Sequence, residues 1–354
     1  MKYQKIIVIG VSLILVFLHS YFLTPNYDDG FNAYFINNTI DFKNPFFSEY
    51  FNTIFVVHKI PVLIIALGFT YFFPFSFAFP AALNGILCIL CSYLSYKIAR
   101  FYSNSKTALL CSQLLLYLLL THHWVCPTRF ELWLLAVILS VIYFFELFKI
   151  DSRKKYLVFI SFFVGILGLP IHTNASILYL YIGIFMLLNH SYFNRRGYVI
   201  LVSSLIIMSF VGLLIIFFPE PSDSWSFLMR MSEEGQNRFV PNIINPEKFH
   251  YLFNNDYYKY LFGFFILFTF IWSVENRKIF LHSFQDAFHQ YKNISIYTIS
   301  AFIALELLPG AGWDVYLVYY FFPIAFFVSK IYYSLKIKTK GQYILLLIMI
   351  IFLV

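Results

Sequence analysis

The sequence predicts an all-α fold, a polytopic membrane bundle of about 11 spanning helices that forms a single domain over residues 1–354. Two observations lead to this prediction. Of the 354 residues, 60% are hydrophobic and only 12% are charged, whereas soluble domains carry about 25% charged residues. The apolar residues also come in long runs, as membrane-spanning helices require. The length leaves no room for a separate soluble domain beside these spans.

The apolar runs place the spans in order along the chain. They lie near 5–23, 76–97, 107–121, 128–149, 156–171, 174–190, 198–218, 258–274, 294–308, 313–333 and 342–354. The last run is short for a bilayer, so we expect it to tilt or to enter a single leaflet.

The basic residues predict how these spans are oriented. With the N-terminus in the cytoplasm, 18 of the 25 Lys and Arg residues fall in inner loops. The other seven fall outside: Lys43, Lys59, Arg129, Arg230, Arg238, Lys248 and Lys259. The residue bias fits an AT-rich bacterial gene, so we predict a multi-pass protein of the inner (cytoplasmic) membrane. The net charge of +8 has the same origin, and no nucleic-acid partner is expected.

Two long outer loops separate the predicted spans. The first covers 24–75 and contains an apolar stretch at 60–73 that resembles a span. Counting that stretch as a span would put the basic loop near Arg153 outside, so we predict an interfacial or re-entrant helix near 58–73. The second loop runs from Pro219 to about Tyr257, a length that is typical of functional or disordered segments.

The most informative polar feature is the pair Asp28 and Asp29, directly after the first span. Carboxylates are costly near lipid, and the chain has only 17 acidic residues. At a water–lipid boundary, a general base could meet both a soluble acceptor and a lipid-borne donor. The alternative is a solvated loop or a helix N-cap formed by Asp29. We favour catalysis.

Further candidates lie at the outer ends of later spans. Arg129 and Glu131 enter the membrane at its outer edge, preceded by His122 and His123. Arg129 could bind a phosphate while Glu131 orients the guanidinium group. Alternatively, the two charges could only neutralise each other. After Pro170 breaks the fifth span, His172 reaches the same outer level. Alternatively, His172 only caps a polar turn.

The last predicted outer segment contains Trp313 and Asp314. These residues could bind a sugar, or they could belong to an aromatic belt at the membrane surface. Cys88 and Cys91 form a C-x-x-C inside an apolar run, where small residues that pack between helices are a better interpretation than a metal or redox site.

The order of these features resembles that of the GT-C glycosyltransferases, in the branch of the protein O-mannosyltransferases and the lipid A aminoarabinose transferase. The similar elements follow one another mainly over residues 1–190. They are Tyr27-Asp28-Asp29-Gly30, His58-Lys59-Ile60-Pro61-Val62-Leu63, Phe75-Ser76-Phe77 through Asn84 to Arg100, Thr128-Arg129-Phe130-Glu131, Gly168-Leu169-Pro170-Ile171-His172 and Tyr319 to Pro323. The second proline that family members place after the His58 position is missing here.

The resemblance implies a GT-C-like bundle that transfers a sugar on the outer, periplasmic face from a polyprenyl-phosphate donor, such as an undecaprenyl-phosphate sugar. The acceptor would be a glycan or a lipid, and membrane lipids would be further partners. Asp28 or Asp29 would be the base of an inverting reaction. Arg129, His172, His122, His123 and Lys59 would bind the donor phosphate. Tyr27, Glu131, Trp313, Asp314 and Arg230 would contact substrate. The acidic pair could also bind a divalent metal, Mg or Mn, which some family members use.

Two other classes compete with this interpretation. An O-antigen or polysaccharide polymerase would rely on arginines in two large outer loops, but the first loop here has none. A transporter or flippase of lipid-linked sugars would show charged residues in mid-span and internal symmetry, and no internal repeat is visible. The transferase interpretation explains more of the chain.

Overall fold

The computed structural model describes residues 58–71, 78–121, 130–218, 221–222, 224–226, 229, 291–307 and 318–334. Within these ranges, every regular element is helical. The α-helices are α1 (Lys59–Tyr71), α2 (Ala78–Tyr102), α3 (Ser105–Thr121), α4 (Glu131–Asp151), α5 (Lys155–Phe162), α6 (Ser176–Leu188), α7 (Arg195–Phe217), α8 (Lys292–Phe302) and α9 (Val318–Ser334). The all-α fold class predicted from the sequence is confirmed.

A helix occupies each predicted span that falls within the described ranges. Three of them are long and apolar enough to cross a membrane, namely Phe79–Tyr102, Glu131–Asp151 and Arg195–Phe217. The remaining apolar helices have 10–17 residues. The predicted spans at 5–23, 258–274 and 342–354 lie outside the described residues.

Some boundaries differ from those predicted. Helix α2 continues to Tyr102 rather than ending near residue 97, because Lys97 and Arg100 are good helix formers and keep their charges at the helix end. Helix α5 passes into a π-helical turn, Phe163–Gly168, which ends before Pro170. Helix α8 passes into a second π turn, Ile303–Leu307. Hydropathy does not reveal π turns, because they change the helical period without changing the apolar composition.

The bundle has two chemically different ends. At the first, which we call the basic end, the last turns of α2, α4, α6 and α9 meet the starts of α7 and α8. Phe148 packs on Phe193, and Lys330 donates to the carbonyl of Tyr102 at 3.3 Å. Among the described residues, eleven basic side chains lie within two turns of this end: Lys97, Arg100, Lys106, Lys149, Arg153, Lys154, Lys155, Arg195, Arg196, Lys292 and Lys330. Lys59 alone of the described basic residues lies at the other end, which we call the site end.

Helix α7 lies at the edge of the bundle. Its outward face exposes Ile206, Ile207 and Phe210 by 59–65%, as expected of a helix that borders lipid. Its inner face approaches the first π turn very closely, because Gly212 lies directly against Gly165. A Cβ atom on Gly212 would stand 2.0 Å from the Gly165 carbonyl oxygen, so only glycine fits this crossing.

Candidate active site

The site end is organised around the start of α1. The Ile60 amide donates to the Pro170 carbonyl at 3.4 Å, and His58 Nδ1 lies 2.7 Å from the Ile171 carbonyl. Because a carbonyl only accepts, Nδ1 of His58 carries the proton in this contact. These two bonds tie α1 to the turn after α5, across more than 100 residues of sequence.

Apolar packing supports the same arrangement. Val62, Ile65 and Ala66 on the buried face of α1 pack with Phe130, the residue before α4. The ring of His58 lies between those of Phe130 and His172, at centroid distances of 4.8 Å and 5.1 Å. The start of α1, the start of α4 and the turn after α5 therefore form one packed unit.

His172 faces Glu131 inside this unit. Its Nε2 lies 3.7 Å from Glu131 Oε1, and both side chains are buried. The amide of Asn174 donates to Nδ1 of His172 at 3.1 Å. This bond directs the proton of a neutral imidazole to Nε2, which faces the carboxylate. Glu131 therefore has a partner other than Arg129, so the mutual neutralisation of Arg129 and Glu131 is not needed to explain its burial.

Lys59 is a buried cation at the site end. Its side chain is only 2% exposed, and its ammonium group donates to the carbonyl of Phe218, the C-cap of α7. Carbonyls at a helix C-terminus carry partial negative charge, which suits a cation. Burial nevertheless lowers the pKa of Lys59 from 10.5 to about 8. A negatively charged ligand would offset this cost better than a carbonyl does.

The structure brings together two of the residues singled out in the sequence, His172 and Glu131, and places Lys59 at the start of the helix that packs beside them. The link runs through His58, whose ring contacts that of His172. The sequence motif that contains Lys59 also contains His58, but no role was predicted for His58. Its position next to a candidate phosphate-binding residue could have indicated that it belongs to the site. The other candidates lie outside the described residues: Tyr27, Asp28, Asp29, His122, His123, Arg129, Arg230, Trp313 and Asp314.

The site combines a buried cation with an imidazole–carboxylate pair at one end of a membrane bundle. Such a set can hold an anionic group and orient a hydroxyl, but it does not form a complete metal shell. Across the described part of the chain, no three His, Cys, Asp or Glu side chains come together as a metal site. Asp28 and Asp29 lie outside the described residues.

The bundle has a GT-C-like fold, which confirms at the level of fold the resemblance drawn from the sequence motifs. It is similar to the crystal structure of ArnT from Cupriavidus metallidurans bound to undecaprenyl phosphate, with a TM-score of 0.68 and 14% sequence identity over 99% of this chain. The chain spans 64% of the length of that structure. No protein-family model and no curated protein matches the chain.

Proposed function

We propose that the chain is a membrane glycosyltransferase that moves a sugar from a polyprenyl-phosphate donor to a glycan or lipid acceptor on the outer face of the membrane. The observation that carries the proposal is one end of a GT-C-like bundle where His172 faces Glu131 and contacts His58, the residue before the buried Lys59. The undecaprenyl phosphate bound to the similar ArnT structure supports a polyprenyl-phosphate carrier.

Lys59 and His172 would bind the donor phosphate. The ammonium of Lys59 would leave the weaker carbonyl partner for the phosphate, and this exchange would restore its ordinary preference for the charged state. His172 could donate from Nε2 to the same anion when it turns from Glu131. Arg129, His122 and His123 are proposed to complete the phosphate site.

Catalysis would be a single inverting displacement. Asp28 or Asp29 takes the proton of the acceptor hydroxyl, and the acceptor oxygen bonds to the anomeric carbon while the bond from that carbon to the phosphate oxygen breaks. The polyprenyl phosphate leaves with the electron pair, and the surrounding cations stabilise its developing charge. Glu131, Tyr27, Arg230, Trp313 and Asp314 are proposed substrate contacts. We also propose that Asp28 and Asp29 could hold a Mg or Mn ion. The transfer itself needs only the groups of this chain and its substrates.

Transfer from a radiolabelled polyprenyl-phosphate sugar, measured in membranes that contain the overproduced chain, tests this function. We expect Asp28→Asn or Asp29→Asn to lower transfer by about 100-fold or more, the contribution of a general base, without loss of membrane expression. Asp151→Asn is a matched control, because this half-exposed acid lies at the basic end beside Arg153. Parallel reactions with chelator and with added Mg or Mn test the metal.

Two outcomes would contradict the proposal. Near-normal transfer in both aspartate variants would refute the catalytic scheme. Movement of labelled lipid across reconstituted vesicles without any glycosidic product would instead favour a flippase.

A further inference from the structure

A second buried acid lies far from the candidate site. Glu146 lies on α4, the helix that begins with Glu131, and is only 3% exposed. Fifteen residues at 1.5 Å per residue separate the two acids by about 22 Å along the helix. Glu146 therefore lies near the basic end and cannot take part directly in the proposed transfer.

Glu146 accepts hydrogen bonds from three side chains. Its Oε1 accepts from the Tyr102 hydroxyl on α2 and from Asn293 Nδ2 on α8. Its Oε2 lies 3.4 Å from Lys149 Nζ, one turn along α4. Buried carboxylates that receive several donors hold their partners strongly, because any lost partner leaves charge unpaired in a medium of low dielectric.

The cluster keeps polar groups that simple packing would not need. Asn293 Oδ1 and the Tyr181 hydroxyl are buried without a hydrogen-bond partner among the described residues. Apolar side chains of the same volume would avoid that cost. In some proteins, buried polar clusters of this kind specify one arrangement of helices rather than several.

Neighbouring contacts fasten the same helices together. Lys292 donates to the Leu188 carbonyl at the end of α6, and Lys330 on α9 lies 4.9 Å from the ring centre of Tyr291, just before α8. Tyr102 packs edge-on against Tyr291. All these contacts lie at the basic end, so α8 is held firmly at its start.

The opposite end of α8 is built differently. Its regular hydrogen bonding gives way to the π turn Ile303–Leu307, which packs against α6, the helix that follows His172 and its short turn. The candidate substrate residues Trp313 and Asp314 follow this π turn in the sequence and lie outside the described residues. Since π turns weaken helical regularity, the angle of α8 at the site end depends on how its start is held.

We propose that Glu146 is a positioning residue which, through Asn293, fixes the angle between α4 and α8 and thereby sets the distance between Glu131 and the π turn Ile303–Leu307 at the site end. The proposal rests on the proposed function for its catalytic consequence. Its structural consequence stands independently of that function.

Distances between spin labels test the structural part. One label goes on Leu67 of α1 and one on Phe302 of α8, both of which are exposed, in a chain whose native cysteines are replaced by serine. In Glu146→Gln we expect the distance distribution to become at least twice as wide. Asn293→Ala should widen it at least as much, because the remaining partners Tyr102 and Lys149 lie on α2 and α4 and do not hold α8. The exchange Glu146→Gln with Asn293→Asp restores a reversed hydrogen bond and should narrow the distribution again.

Ser92→Ala is the matched control. It removes a buried 2.8 Å hydrogen bond between α2 and α3, to Ser112, without touching α8. We expect it to lower the unfolding temperature but to leave the distance distribution unchanged. If Glu146→Gln does not fold, Asn293→Ala decides the question. A width equal to the parent's in all folded variants overturns the proposal.

Kinetics test the catalytic part. We expect Glu146→Gln and Asn293→Ala to lower kcat at least tenfold while the KM for the polyprenyl-phosphate donor changes less than twofold, because Lys59 and His172 belong to the unit around the start of α4 and are not attached to α8. Recovery of kcat in the exchange variant would support positioning. An unchanged kcat in a variant with a widened distribution would overturn the catalytic consequence. If the parent itself transfers no sugar, the proposed function fails while the label distances still decide the structural part.

Discussion

Lys59 shows how a single residue can connect distant parts of this chain. Its sequence neighbours predicted only an interfacial helix start, but its ammonium group reaches the Phe218 carbonyl, 159 residues away. Burial lowers its pKa to about 8, close to the working pH of a cell. The residue is therefore poised to gain from an anionic ligand.

A pH dependence follows from this shift. Donor binding needs the ammonium form, so affinity should fall as the pH rises through about 8, by about tenfold between pH 7 and pH 9. The probe is undecaprenyl methyl phosphate, a diester whose charge does not change in this range. Binding measured by calorimetry in detergent should show the loss in the parent. In Lys59→Met, binding should be weak and independent of pH.

The stability of the ligand-free protein should change in the opposite direction. Between pH 8 and 10.5 the unfolded chain still binds the Lys59 proton while the folded chain has released it, so this residue's contribution to stability rises with pH. Lys59→Met should remove that part of the rise. A donor affinity that is flat from pH 7 to 9 in the parent would show that the Lys59 ammonium does not bind the phosphate.

Arg129 and Glu131 give a second prediction for single residues. If Arg129 binds the donor phosphate, Arg129→Lys should keep part of the donor affinity and Arg129→Ala should lose it, because lysine retains the charge without the planar fork. Since His172 lies 3.7 Å from Glu131, the double variant Arg129→Ala, Glu131→Ala should stay inactive. Transfer assays with expression controls measure both outcomes, and Arg153→Ala serves as a control at the basic end. Recovery of transfer in the double variant would mean that Arg129 only balances Glu131.

Among the helices, the crossing of α7 with the first π turn controls the site most directly. The turn Phe163–Gly168 leads to Pro170 and His172, and α7 ends at the carbonyl that holds Lys59. Gly165 and Gly212 set the separation of these two elements. A change at this crossing should therefore affect both sides of the phosphate site.

Substitution of these glycines tests that expectation. Gly212→Ala places a methyl group 2.0 Å from the Gly165 carbonyl oxygen, which is backbone and cannot rotate away. We expect a loss of about 1–3 kcal/mol in stability, as in other overpacked sites, together with weaker donor binding. Gly183→Ala on α6 is the control, since its methyl group meets nothing within 4 Å and alanine favours a helix by up to about 1 kcal/mol. Thermal unfolding in detergent compares the two. Equal unfolding temperatures would contradict the close crossing.

For the whole molecule, the separation of charge between the two ends is the main organising feature. Eleven described basic side chains lie near the basic end, and the proposed chemistry lies at the site end. Helix α1 has 13 residues, about 20 Å at 1.5 Å per residue, which is shorter than a bilayer core of about 30 Å. The prediction that this segment does not cross the membrane is consistent with that length and is open to a direct test.

Cysteine labelling measures the orientation. Single cysteines at Thr53 and Phe75, which flank α1, should react from outside intact cells with a membrane-impermeant maleimide, whereas Lys154→Cys at the basic end should react only after permeabilisation. The cysteines flank the helix because Lys59 itself is buried. Reaction of positions 53 and 75 from opposite sides would make α1 a span and invert every later loop.

The sequence by itself determined the membrane class, the all-α fold and the approximate position of each helix in the described part of the chain, because these depend on local composition and on how basic residues are distributed. It also selected Glu131 and His172 as candidates, since polar groups at a membrane boundary are costly and few, and the resemblance to the GT-C motifs added Lys59. Only the tertiary structure decided that His172 meets Glu131, that His58 packs on His172, that Phe218 holds Lys59 and that Glu146 links α4 to α8. Such contacts depend on helix packing between segments that are distant in sequence, 159 residues apart for Lys59 and Phe218, and no local pattern encodes that packing.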